Sequence, residues 1–195
     1  MRLIAISWPD FFEGEADEIN TLFEEGLEIL HLRKPGAKEE DVAALIEKIE
    51  PKFRKRLTLH YLPDLAERYA VGGYHLSPNR PPAPEGWGGR LSASCHSTEE
   101  LAEKLHMVNY AFISPIFDSI SKSGYKSSFS HGILKKAASE KIINEKVVAL
   151  GGVTPENMGK VEKLGFGGVA VLGGLWGDRS LEDVVRRYEE YVKRL

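Results

Sequence analysis

The chain has 195 residues, 42% of them hydrophobic, enough apolar material for the core of one domain. A net charge of −3 with acids and bases well mixed argues against nucleic-acid binding through a basic face. No apolar run approaches the ~18 residues of a membrane span, and MRLIAIS at the start is too short for a signal peptide. Cys95 is the only cysteine, so the expectation is a soluble, cytoplasmic chain without disulfides or a membrane partner.

In chain order, residues 2–7 read as a buried strand, and 15–25 as a helix with Ile19, Leu22 and Phe23 on one face. A second strand at 27–33 precedes a helix from about residue 38 carrying Val42, Leu45, Ile46 and Ile49. A third strand at 56–61, a short helix at 63–70 and a fourth strand at 72–77 follow. Residues 78–89, PNRPPAPEGWGG, hold too many prolines and glycines for a normal helix. The fifth strand is 90–94, where Cys95 reads as a small buried thiol, and Ser97 with Glu100 predicts a capping box. A sixth strand at 108–114 leads into a polar loop at 118–132 and a helix at 133–139.

Strands seven and eight, 147–153 and 168–174, each empty into paired glycines. Between them Thr154-Pro155 opens a helix with Met158, Val161 and Leu164 on one face, closed by Gly165. The last helix starts at Ser180, with Leu181, Val184, Val185, Tyr188 and Val192 on its apolar face.

Eight strands alternating with helices predict one compact α/β domain over 1–195, a (β/α)8 TIM barrel with a degenerate fourth helix. The chain is short for that architecture, which runs nearer ~250 residues. An open doubly wound sheet is the alternative, weakened by the absence of G-x-G-x-x-G after the first strand.

In a barrel, chemistry sits where the strands end. Gly151 and Gly152, then Gly173 and Gly174, either expose backbone N–H groups to a phosphate or only permit tight turns. The other strand ends offer His31, Arg33 and Lys34; His60 and Tyr61; His75 and Ser77; Ser92, Ser94 and His96; and Ser114 ahead of Ser119, Ser121 and Lys122. This ring of cations and hydroxyls suits a small phosphorylated ligand or a diphosphate. The loop DSISKSG either closes over such a ligand or is an ordinary surface loop. For the histidines, satisfying a neighbouring backbone group competes with a ligand role. Their irregular spacing, with no carboxylate nearby, argues against zinc, and no metal ligand is assigned.

These residues resemble the thiamine phosphate synthase family and its TenI-type relatives. HLRKPG at 31–36 is similar to its Q-L-R-x-K, GYHLS at 73–77 to G-I-H-L-G, and SASCHS at 92–97 to G-x-S-x-H-[ST]. SPIFDSISK at 114–122 resembles G-P-I-[FY]-P-T-x-T-K, ALGGV at 149–153 the G-G-I phosphate turn, and GFGGVAVLGG at 165–174 G-A-x-G-V-A-V-x-[SG]. The resemblance implies a transferase of thiamine biosynthesis that joins a pyrimidine diphosphate to a thiazole phosphate and releases diphosphate. It implies Arg33, Ser94 and Lys122 on the diphosphate, with Ser119 and Ser121 in the closing loop. Gly151, Gly152, Gly173 and Gly174 would hold the thiazole phosphate, and His31 stands where the family's Gln meets the pyrimidine.

Mg2+ is the family's cofactor, held by carboxylates. Here the Asn-Asp after strand three reads His60-Tyr61, and the second acid reads Arg80. Pro35 replaces the lysine of L-R-x-K, with Lys34 one residue early. The expectation is therefore weak or absent turnover and little dependence on Mg2+. A TenI-like tautomerase, whose catalytic histidine would fall at Pro115, and a non-enzymatic binder of phosphorylated thiamine intermediates are the alternatives. The oligomeric state stays open, a homo-oligomer among the options.

Overall fold

The structure, a computed structural model, describes residues 1–78, 80–117, 129–177 and 181–195, the side chains of 181 and 182 excepted. Eight parallel strands close into a barrel in sequence order. They are β1 (Arg2–Ile6), β2 (Ile29–Leu32), β3 (Leu57–His60), β4 (Gly73–Leu76), β5 (Arg90–Cys95), β6 (Tyr110–Ile113), β7 (Val147–Leu150) and β8 (Gly168–Val171). Closure is made by β1 pairing with β8, Arg2 opposite Gly168 through Ala5 opposite Val171. Most strands are shorter than the sequence predicts, because the final polar residues and glycines of each predicted run already belong to the turn that follows.

The helices are α1 (Glu15–Glu24), α2 (Glu39–Lys48), α3 (Pro63–Arg68), α4 (Thr98–Lys104), α5 (His131–Ser139), α6 (Met158–Lys163), α7 (Gly173–Trp176) and α8 (Leu181–Val192). Their apolar stripes cover the outside of the barrel: Ile19, Leu22 and Phe23 from α1, Val42, Leu45 and Ile46 from α2, Met158 and Val161 from α6. α4 starts as the capping box predicts, the Glu100 N–H donating to Ser97 Oγ at 3.0 Å. The return bond differs by one residue: Glu100 Oε2 accepts from the His96 N–H at 2.8 Å. α5 begins at His131 rather than 133, because Ser130 accepts the Ile133 N–H at 3.3 Å.

Between β4 and β5 the described residues contain no helix. Two side-chain anchors hold this stretch against the barrel. Trp87 meets the buried Tyr74 edge-on at 6.4 Å, and Tyr74 Oη donates to the Pro81 carbonyl at 3.1 Å. The last helix departs from its predicted face. Val184, Tyr188 and Tyr191 are buried, whereas Val192 is 42% exposed. The helical period carries Tyr191, not Val192, onto the stripe begun by Val184 and Tyr188.

Inside the barrel the two halves differ. Ile4, Ile6, Val148 and Ala170, with Leu150 and Leu172 packed on them, line the side made by β1, β7 and β8. The buried polar side chains His31, Thr58, His60, His75 and Ser92 come from β2 to β5.

Candidate functional site

The glycine turns after β7 and β8 lie side by side, because those strands pair with Leu150 opposite Ala170. Gly151 (φ +94°) and Gly152 (φ +65°) take the left-handed backbone that glycine enters without steric cost. Asn157, at the start of α6, clamps the turn: its Nδ2 donates to the Gly152 carbonyl at 2.8 Å, and its Oδ1 accepts the Thr154 N–H at 2.9 Å. Tyr191 of α8 donates to the Val153 carbonyl at 3.0 Å. A Cβ on Gly174 would fall 2.3 Å from that same Tyr191 oxygen and 3.8 Å from the Val153 carbonyl oxygen, so the two turns converge beneath one side chain. Gly173 and Gly174 open the one-turn helix α7, where the first N–H groups have no intrahelical acceptor. Among the described residues, the N–H groups of Gly152, Val153, Gly173 and Gly174 donate to no protein acceptor. Backbone N–H groups without a protein acceptor suit an anion. Neither Asn157 nor Tyr191 is marked by a motif. Asn157 carried a weak signal, an amide just before a helical run.

The opposite half of the barrel is a histidine wall. His31 Nδ1 lies 2.9 Å from His60 Nε2, and His31 Nε2 lies 2.6 Å from Tyr110 Oη. His75 places Nδ1 2.9 Å from Ser92 Oγ and Nε2 3.0 Å from Ser94 Oγ. The His60 and His75 rings stack at 4.2 Å, and His31 packs on Phe112 at 4.7 Å. Burial holds all three imidazoles neutral. It drives His31 and His60 well below the ordinary range and His75 to about 3, with the Arg33 charge pushing the latter two further down. The sequence argument from irregular spacing fails here, since adjacent parallel strands bring distant residues into one layer, with His60 directly opposite His75.

Arg33 is partly buried just past β2, its backbone N–H donating to the buried Ser7 Oγ at 2.9 Å, and its charge reaches into the histidine wall. Lys34 corrects the sequence reading. Instead of facing a ligand it is buried against Glu15, with contacts of 2.5 and 2.7 Å to the carboxylate oxygens, and it also donates to the carbonyls of Trp8 and Asp10 at 2.9 Å. These partners saturate the ammonium, so Lys34 ties the β2 end to the start of α1 and has no donor left for substrate. His96 is also turned aside. It is exposed, its Nδ1 lies 3.1 Å from the Ser114 carbonyl, and it lines a groove of about 450 Å³ between α4 and α5. Ser119, Ser121 and Lys122 fall outside the described residues.

At the end of β3, Tyr61 (φ +63°) and Leu62 (φ +50°) occupy left-handed backbone that costs non-glycine residues about 1 kcal/mol or more each. The Arg80 guanidinium lies over the Tyr61 ring at 4.5 Å. A cation therefore sits beside Tyr61, and the pair offers a phenol and a guanidinium where a hard divalent cation needs anionic oxygens. These residues do not fit Mg2+.

A closed (β/α)8 barrel of eight parallel strands in sequence order, with paired-glycine turns after its last two strands, defines the class by its fold. The model of the thiamine monophosphate synthase family matches residues 3–175, and the chain belongs to that family. A thiamine phosphate pyrophosphorylase structure from Bacteroides thetaiotaomicron is 36% identical, with a TM-score of 0.89, over 100% of this chain and 97% of that one. A thiamine phosphate pyrophosphorylase from Pyrococcus furiosus, 23% identical, shares the fold at a TM-score of 0.80, over 99% of this chain and 94% of that one. The thiamine-phosphate synthase of Syntrophomonas wolfei is 24% identical across 91% of this chain and 88% of its own length. Among the described residues no helix is long and apolar enough to cross a membrane.

Proposed function

We propose that this protein binds a phosphorylated thiazole and a pyrimidine diphosphate at the C-terminal mouth of the barrel, with fixed cationic side chains standing where the family holds Mg2+. The observation that carries this reading is the pair of glycine turns that meet at Tyr191, in which the N–H groups of Gly152, Val153, Gly173 and Gly174 have no protein acceptor among the described residues. Backbone donors cost no side-chain ordering and match the oxygens of a phosphate monoester. Across the mouth, Arg33 with the Ser94 hydroxyl serves the diphosphate, because a guanidinium forks two phosphate oxygens at once, and Lys122, outside the described residues, is assigned to the same anion. His60 floors the space between and meets the pyrimidine as a neutral imidazole; His31, which the sequence places against the pyrimidine, is fully buried behind it with both ring nitrogens engaged by His60 and Tyr110.

As the bond to the leaving diphosphate breaks, negative charge collects on its oxygens and must be stabilised there. Arg33, Lys122 and Arg80 supply that charge in this chain. A single guanidinium cannot bridge two phosphates as a divalent ion does, so turnover is slow and binding dominates. A tautomerase reading draws less support, because Pro115 occupies the position of the TenI-type catalytic histidine.

Titration calorimetry with thiazole phosphate and with inorganic diphosphate separates the two halves. Arg33→Met should abolish diphosphate binding while leaving thiazole phosphate within about threefold. Gly152→Ala should weaken thiazole phosphate about tenfold, ~1.4 kcal/mol, and spare diphosphate. Parental affinities for both ligands in both variants would contradict the assignment.

A further inference from the structure

The histidine wall contains more order than hydrogen bonding to backbone groups requires. One ring nitrogen from each of His31, His60 and His75 lies within 4.8 Å of the other two, and all three residues are buried. From these contacts we infer that His31, His60 and His75 form a tri-histidine site for a divalent transition metal of the zinc, cobalt or nickel class, at the floor of the barrel mouth.

Three features support a metal over a purely hydrogen-bonded cluster. First, the donor set is three imidazoles, which suit these metals and not Mg2+. Three histidines with a fourth, open position are a common catalytic coordination set for zinc. Second, the outer groups are in place. His31 turns Nδ1 toward the cluster while its other nitrogen meets Tyr110 Oη at 2.6 Å; His75 has a serine hydroxyl at each nitrogen, Ser92 and Ser94, so on metal binding one nitrogen exchanges its serine for the metal and the other keeps its hydroxyl as the outer partner. Such partners fix the tautomer and ring orientation of a ligating histidine. Third, the spacing is close to that of a metal site. Tetrahedral ligands at ~2.0–2.1 Å from zinc lie about 3.3 Å apart. The His31–His60 pair at 2.9 Å has to open by a few tenths of an ångström, and the widest pair, at most 4.8 Å, has to close by no more than about 1.5 Å.

The same three histidines would leave a coordination position toward the mouth, where His60, the last residue of β3, is the most exposed of them at 7%. A metal there would act on an oxygen or nitrogen of whatever ring occupies the floor of the site. It is separate from the Mg2+ of the family, which needs carboxylate oxygens.

The test uses the full chain, stripped of metal with chelator and desalted, then titrated with Co2+ and, separately, Mg2+. The expected result is one Co2+ per chain with intense visible d–d bands of a tetrahedral site, displaced by Zn2+, and no binding of Mg2+. His60→Asn, His31→Asn and His75→Gln should each lose the band. Circular dichroism of the metal-free variants establishes that they fold. Tyr110→Phe should keep the stoichiometry and lower affinity ~10–100-fold, as loss of an outer hydrogen bond does. An octahedral spectrum, a band that survives in all three folded histidine variants, or no binding of stoichiometric Co2+ would overturn the proposal.

Discussion

Two side chains hold the glycine turn after β7 in shape. Asn157 bonds both ends of the Gly152–Thr154 segment, and Tyr191 pins the Val153 carbonyl. Asn157→Ala should lower thiazole phosphate affinity by about 1–2 kcal/mol, roughly the net value of two lost hydrogen bonds, while far-UV circular dichroism stays parental. Unchanged affinity in calorimetry would show that the turn holds its shape without the clamp. Lys34 makes the opposite prediction. Lys34→Met strands Glu15 in a buried position and should cost about 3–5 kcal/mol of stability in urea denaturation, with diphosphate affinity preserved in the protein that remains folded. Gly151 and Gly152 were legible in the sequence because left-handed backbone after a strand leaves a compositional mark. The role of Lys34 was not, because its partner Glu15 comes from the first turn of α1, distant in sequence. A charge at a strand end reads the same whether it faces a ligand or a buried carboxylate.

Strand pairing explains why the histidine wall escaped the sequence argument. His31, His60 and His75 are separated irregularly along the chain, yet β2, β3 and β4 are consecutive in the barrel: His60 stands opposite His75, and His31, opposite Thr58, reaches His60 with its ring. Only the register reveals this, and register is not a local property of sequence. The wall has a consequence for pH. Each folded-state pKa lies below the ordinary imidazole value of 6.5, so the unfolded chain binds protons that the folded barrel refuses. The sign follows: stability is full above pH 6.5 and is lost as the pH falls toward 3, by up to about 1.4 kcal/mol per pH unit for each histidine. Urea unfolding of metal-free protein between pH 7 and 5 should show this decline, and His60→Asn should reduce the slope by about a third. A flat profile would mean that the wall takes up protons without unfolding. The helices were more legible than the strands' side-chain geometry. The Ser97–Glu100 cap and the proline-rich gap after β4 are local signals, while on the last helix Val184 and Tyr188 of the predicted stripe are buried and Tyr191, not Val192, completes it.

The whole barrel divides its work between two halves. β1, β7 and β8 give an apolar wall topped by backbone donors, and β2 to β5 give a polar wall with Arg33 at its edge. That division follows from which strands end in glycine and which in histidine or serine, and the closed order β1 to β8 makes it spatial. The eight-fold alternation was readable because each strand is a short apolar run with a clear stop. Less readable was the β3 end, where Tyr61 in left-handed backbone and Arg80 over its ring form a cationic patch opposite in character to a metal-binding carboxylate pair. The central claim is that this patch replaces Mg2+ in handling a diphosphate. The most direct measurement is calorimetry of inorganic diphosphate binding to metal-free protein with and without Mg2+, run beside an assay of thiamine phosphate formation from both substrates. The account predicts a dissociation constant that Mg2+ shifts by less than about twofold, lost in Arg33→Met and weakened in Arg80→Met, with slow or absent product formation under both conditions. Diphosphate binding that requires Mg2+, together with robust thiamine phosphate formation on its addition, would contradict it.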